Sequence, residues 1–133
     1  MILYNGESLA YLGDAIYELK IRQYLLGTGY QDVNKLHKVA VKFTSGEAQA
    51  KIVDYLIKNN LLTDEEISYF KRGRNSGHSK NRRSISVISY KKATGFEAMI
   101  GFLYLSKRDE RLEEILQLII QIVEGELYNE EKI

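Results

Sequence analysis

The chain has 133 residues, a length that buries one core and suits one domain over 1–133. It has no cysteine, which excludes a disulfide framework and a thiolate metal site, and no segment reaches the roughly 18 uninterrupted apolar residues of a membrane span. The net charge of +1 hides an asymmetry: eight basic residues and no acid fall between Lys71 and Lys92, while the remainder holds 11 basic and 18 acidic residues. A cationic strip on an acidic body is the pattern of a segment that meets a polyanion. The first residues carry no basic stretch followed by a cleavage site, so a cytoplasmic location is expected.

Proline is absent and apolar residues recur at helical spacing, so the expected fold class is all-α, about six helices with one long basic loop. Leu9, Leu12, Ile16, Leu19 and Tyr24 mark the inward face of a first helix that stops near Gly27 and Gly29. Val33, Leu36, Val39, Ala40 and Phe43 mark a second. Thr44 with Glu47, and Thr63 with Glu66, have the spacing of capping boxes that open a third and a fourth helix. From Arg74 to Ser89, glycine, serine and asparagine interrupt the periodicity and predict a loop, with Ile85–Ile88 as a short extended piece. A fifth helix is expected from about Lys91 to Ser106, and a sixth from Asp109 to Gly125.

Most acids lie in first turns of helices, where the helix dipole and solvent accommodate them. Asp14 and Glu97 do not. Asp14 sits in LAYLGDAI and Glu97 in ATGFEAMIG, both mid-helix and among apolar or small residues. An ionised carboxylate that leaves water needs a partner. Three readings stand at this point: each acid points to solvent, each pairs with a base from another helix, or both converge on a hard cation such as Mg²⁺. Gly13, Gly95 and Gly101 beside them suggest close helix packing or room for a ligand, because mid-helix glycine is otherwise unfavourable.

At these same segments the chain resembles the ribonuclease III family. The family's signature helix reads approximately Leu-Glu-Phe-Leu-Gly-Asp-Ala, and Leu9–Ala15 reads LAYLGDA. Its second acidic motif reads approximately Asp-x-Phe-Glu-Ala-x-Ile-Gly-x-x-Tyr-Leu, and Thr94–Leu105 reads TGFEAMIGFLYL. The chain looks most like the Mini-ribonuclease III branch, which has only the catalytic domain. NGESLAYLGDAIYE, KLHK and KRGRN extend that likeness over nearly its whole length. The resemblance implies that Asp14 and Glu97 are catalytic and hold Mg²⁺, with Mn²⁺ a substitute. Ala10 and Thr94 stand where larger relatives carry two further acids, a departure that the Mini branch shares and that leaves the number of metals open.

The implied reaction is metal-dependent hydrolysis of double-stranded RNA to 5′-phosphate and 3′-hydroxyl ends, with large-subunit ribosomal RNA precursors as the substrate class and no action on DNA. The resemblance also implies a homodimer, with Tyr11 at the position where an aromatic enters the partner. Spacing alone reads Tyr11 as core packing. Duplex RNA is recognised mostly by shape, phosphates and 2′-hydroxyls, which suits Lys71, Arg72, Arg74, Lys80, Arg82 and Arg83 as RNA-binding residues. A bare solvated loop is the alternative for that strip. His37 reads as an ordinary helix residue and His78 as a loop residue available to phosphate. Two other functions stand beside the nuclease: a non-catalytic RNA-binding relative of the same fold, and a helical protein-interaction module.

Overall fold

A computed structural model describes residues 4–76 and 85–131, and in the last helix the side chains as far as residue 125. The described residues form helices and no strand: α1 (Gly6–Gly27), α2 (Val33–Thr44), α3 (Gly46–Lys58), α4 (Asp64–Arg74), α5 (Val87–Leu105) and α6 (Asp109–Glu131). The all-α expectation holds.

The architecture is organised around α5. Ala93, Gly95, Phe96 and every residue from Ala98 to Leu103 are buried, so the Ala98–Leu103 stretch of this helix is enclosed all round rather than along one stripe. It packs chiefly against α1 and α4, and also meets α3 and α6. Tyr17 of α1 meets Phe96 edge-on at 4.9 Å, and Tyr69 of α4 stacks on Phe102 at 3.8 Å. The Tyr17 hydroxyl donates to the Phe43 carbonyl at 2.8 Å, which anchors the end of α2 to α1 while satisfying a buried polar group.

Local chemistry places the helix ends. The Thr63–Glu66 capping box forms as expected. Glu66 then does more: its carboxylate, 1% exposed, receives Arg111 Nε and Nη2 of α6 at 2.7 and 2.8 Å. Burial pushes the Glu66 carboxyl up, but the Arg111 and Thr63 hydrogen bonds and the Arg111 charge outweigh it and hold it below the usual carboxylate range.

Several expectations are corrected. Helix α3 is capped by Ser45, which accepts from Ala48 N at 3.1 Å, whereas the Thr44 hydroxyl turns back to the Ala40 carbonyl. Adjacent serine and threonine offer the same capping chemistry, and the register is decided by which of them leaves helical geometry first. Helix α5 starts one turn early, capped by Ser86, so Val87 and Ile88 are helical rather than extended. Ile85 instead packs over Gly46. Helix α6 runs through Gly125, and no other atom would meet a Cβ there. On α1 the buried face is Leu9, Ala10, Gly13, Tyr17, Ile21 and Leu25; Leu19 is exposed and Leu12, Ile16 and Tyr24 only half-buried. Val33 and Tyr55 also face out. Lys80, Arg82, Arg83 and His78 lie outside the described residues.

Candidate active site at the crossing of α1 and α5

Two glycines let α1 and α5 touch backbone to backbone. A Cβ on Gly13 would overlap the carbonyl of Glu97, and one on Gly101 would overlap the carbonyl of Leu9. The close approach explains why glycine occupies helix interiors where it is intrinsically unfavourable. It also puts Asp14, the neighbour of Gly13, beside the segment that carries Glu97. The two acids singled out in the sequence, 83 positions apart, are thereby brought to one helix crossing.

Their environments differ. Asp14 is exposed, so among the three sequence readings its carboxylate faces water rather than an apolar interior. Glu97 is half-buried, and its Oε2 accepts from Gln49 Nε2 of α3 at 3.3 Å. Gln49 is itself 2% exposed, and its Nε2 also donates to the Thr44 carbonyl at 3.1 Å. Sequence reasoning missed this residue, although the signal was present. Gln49 heads the stripe Gln49–Ile52–Val53–Leu56, whose helical spacing puts a polar residue on the buried face.

The positions of the two missing family acids are filled without charge. Ala10 is buried with Leu9 and Ala98 in a small apolar cluster, and the Thr94 hydroxyl donates to the Tyr90 carbonyl of its own helix at 3.0 Å. Glu18, one turn beyond Asp14 on α1, has Oε1 3.7 Å from Arg22 Nη2, while its Oε2 is buried with no hydrogen-bond partner. Glu7 is exposed near the start of α1, where it lines a shallow cleft with Tyr4, Asn5 and Arg72.

A hard divalent cation takes oxygen donors and keeps several waters, and Mg²⁺ commonly uses one or two carboxylates plus phosphate. The donors at the crossing fit that pattern: the two carboxylates, with the buried amide oxygen of Gln49, which accepts no hydrogen bond, next to Glu97. Among the described residues no group of three or more His, Cys, Asp or Glu side chains is gathered to hold an ion.

The basic strip reaches the same region through α4. Gly73 lies against Thr94, Gly95 and Ala98 of α5, so the last turn of α4, with Lys71, Arg72 and Arg74, flanks the segment bearing Glu97. Lys71 and Arg72 are exposed; Arg72 lies over the Tyr69 ring at 4.6 Å and Arg74 over Phe70 at 5.5 Å. Lys92, by contrast, is paired with Asp54 at 2.9 Å, so it is occupied within the fold. Tyr11 is 85% exposed, which overturns core packing within its own chain. His37 is an exposed residue of α2, as an ordinary helix position would be.

Comparison with known proteins adds an independent line. The family model of the ribonuclease III domain matches residues 7–108, which include both acids and the α4 basic residues. Mini-ribonuclease 3 of Acholeplasma laidlawii is 42% identical over 125 residues, covering 94% of this chain and 98% of that protein. Mini-ribonuclease 3 of Clostridium tetani is 45% identical over 127 residues, covering 95% and 83%. A crystal structure of a protein from Fusobacterium nucleatum superposes with a TM-score of 0.81 at 38% identity, covering 96% of this chain and 94% of that one.

Proposed function

The chain belongs to the ribonuclease III family, and on that premise we propose that it is an endoribonuclease that cuts double-stranded RNA with a divalent cation held by Asp14 and Glu97. The observation that carries this reading is the backbone contact of Gly13 with Glu97, which puts the only two acids of the matched motifs at one crossing. Shared fold alone does not give function; the carboxylate pair does. Mg²⁺ is the assigned ion, with Mn²⁺ a substitute. When bound, it supplies an acidic water for attack on phosphorus and offsets charge on the leaving oxygen, so 5′-phosphate and 3′-hydroxyl ends result.

Each residue has a task in this reaction. Asp14 offers its exposed carboxylate at the surface that the phosphodiester approaches. Glu97, recessed and held by a hydrogen bond, keeps a fixed oxygen on the other side. Lys71, Arg72 and Arg74 bind backbone phosphates beside them, and Lys80, Arg82 and Arg83 continue the strip. Tyr11, too exposed to serve its own core, seats in a second copy. A homodimer then presents two sites to the two strands of one duplex. The substrate class we assign is the precursor of large-subunit ribosomal RNA, on the strength of the likeness to the Mini branch, and the working location is the cytoplasm. The chain acts as one catalytic domain over residues 1–133.

The test is to incubate duplex RNA with the protein in Mg²⁺ or in EDTA and to analyse the product ends. Cleavage in Mg²⁺ alone, with 5′-phosphate ends, is expected. Duplex binding without products would make the chain a non-catalytic RNA-binding relative. Neither binding nor cleavage would leave a protein-interaction module.

A further inference from the structure

We propose that Gln49 is a positioning residue of this site: its amide nitrogen orients the Glu97 carboxylate, and its unpaired carbonyl oxygen accepts a hydrogen bond from water bound to the divalent cation. The inference rests on the assignment of Asp14 and Glu97 as the residues that hold the ion.

The orientation of the amide is forced by its neighbours. Gln49 Nε2 lies 3.1 Å from the Thr44 carbonyl and 3.3 Å from Glu97 Oε2. A carbonyl and an ionised carboxylate are both acceptors only, so both must face the NH₂ group, and both of its hydrogens are used. The carbonyl oxygen is therefore on the other side. It is buried, and no donor among the described residues reaches it. Buried acceptors in folded proteins are overwhelmingly satisfied, and an exception calls for a bound water or ion. An apolar side chain at this place on the α3 stripe would pack with Ile52, Val53 and Leu56 but would take this donor from the Thr44 carbonyl and from Glu97 Oε2. Those two bonds account for the amide nitrogen, and the carbonyl oxygen is satisfied if the loaded site brings a donor to Oε1.

The choice of an amide also fits the needs of Glu97. Glu97 is the recessed member of the pair, so its direction is set by protein contacts rather than by solvent. The Gln49 N–H is one such contact, 3.3 Å from Oε2. Because Thr44 ends α2 and Gln49 belongs to α3, the same amide ties Glu97 to the α2–α3 junction.

The experiment measures Mn²⁺ binding by electron paramagnetic resonance on the full chain without RNA. It compares the parent, Gln49→Leu, Gln49→Met and Glu97→Gln. Folded Gln49→Leu should bind Mn²⁺ about 10–100-fold more weakly, the usual effect of losing an outer-shell partner. With duplex RNA it should show a lower kcat and an unchanged KM. Gln49→Leu or Gln49→Met that folds and keeps the parent's Mn²⁺ affinity and kcat would overturn the inference while leaving the Asp14–Glu97 site intact. If the parent bound no Mn²⁺, or Glu97→Gln bound it as the parent does, the site assignment itself would fall. Should both Gln49 variants fail to fold, the side-chain amide resonance of Gln49 in the parent decides. A shift that follows Mg²⁺ titration supports the proposal, and an unmoved resonance overturns it.

Discussion

Gly13 determines how near α1 comes to α5, and so how near Asp14 comes to Glu97. Two effects oppose each other in Gly13→Ala. Helix propensity would favour alanine by about 1 kcal/mol. The added methyl, however, would overlap the Glu97 carbonyl, a backbone atom that cannot swing aside. Forced helix separation of this kind costs typically about 1–3 kcal/mol, and the overlap here is severe, so the steric term should win. Denaturant unfolding should give a less stable protein, and its cleavage rate should fall as the acids part. A stabilised Gly13→Ala variant would mean that the two helices do not meet as described. The importance of this glycine was legible in the sequence only as an unfavourable residue in an odd place. Whether it served packing or a ligand needed the partner helix. Gln49 was harder to read for a different reason: a single glutamine on a helix usually faces water, and only the stripe of Ile52, Val53 and Leu56 betrays its inward position.

At the scale of elements, the capping pair of α4 carries more than a helix end. Glu66 caps α4 and binds Arg111 of α6, which also reaches the Leu61 carbonyl at 2.7 Å. Because the Glu66 carboxyl is held below its ordinary value, its contribution is fully present above the ordinary carboxylate range and is lost as pH falls through the folded value. Glu66→Gln should therefore be less stable at neutral pH, by about 2 kcal/mol for the lost charge-assisted bonds. The gap to the parent should close in acid, as thermal unfolding across pH would show. A gap that stayed constant with pH would dissociate Glu66 from the acid response. The opposite end of α4 carries basic residues that we assign to recognition. If Arg72 and Arg74 contact phosphates, changing both to Ala should weaken duplex binding and flatten the log–log salt dependence by up to about two contacts' worth. An unchanged slope and affinity would remove these two residues from the RNA surface. Element order and most helix ends were legible from apolar spacing and capping residues. The start of α5 was not, because the β-branched run Ile85–Ile88 masked the cap at Ser86. The inward face of α1 was misjudged at Leu19, because glycine and alanine, the residues of closest approach, carry little apolar signal.

For the whole molecule, chemistry on two strands requires two sites, and the single chain brings one pair of acids together. Tyr11, 85% exposed, lies on the helix that also carries Asp14, so the proposed dimer contact and the proposed site share one element. Tyr11→Glu should weaken self-association, because it would bury an unpaired charge in the partner. Sedimentation that found an unchanged dimer would take Tyr11 out of the interface. No helix among the described residues is long and apolar enough to cross a membrane, and the acidic body with its basic strip points the molecule towards a polyanion. The central claim, that Asp14 and Glu97 act on the scissile phosphate rather than on folding or RNA binding, is tested most directly by single-turnover cleavage. Parent, Asp14→Asn and Glu97→Gln are each pre-bound to duplex RNA and started with Mg²⁺. The account predicts folded variants that bind duplex as the parent does but cut it at least about a hundredfold more slowly, as loss of a metal-holding group requires. Cleavage by either variant at close to the parent's rate would contradict it.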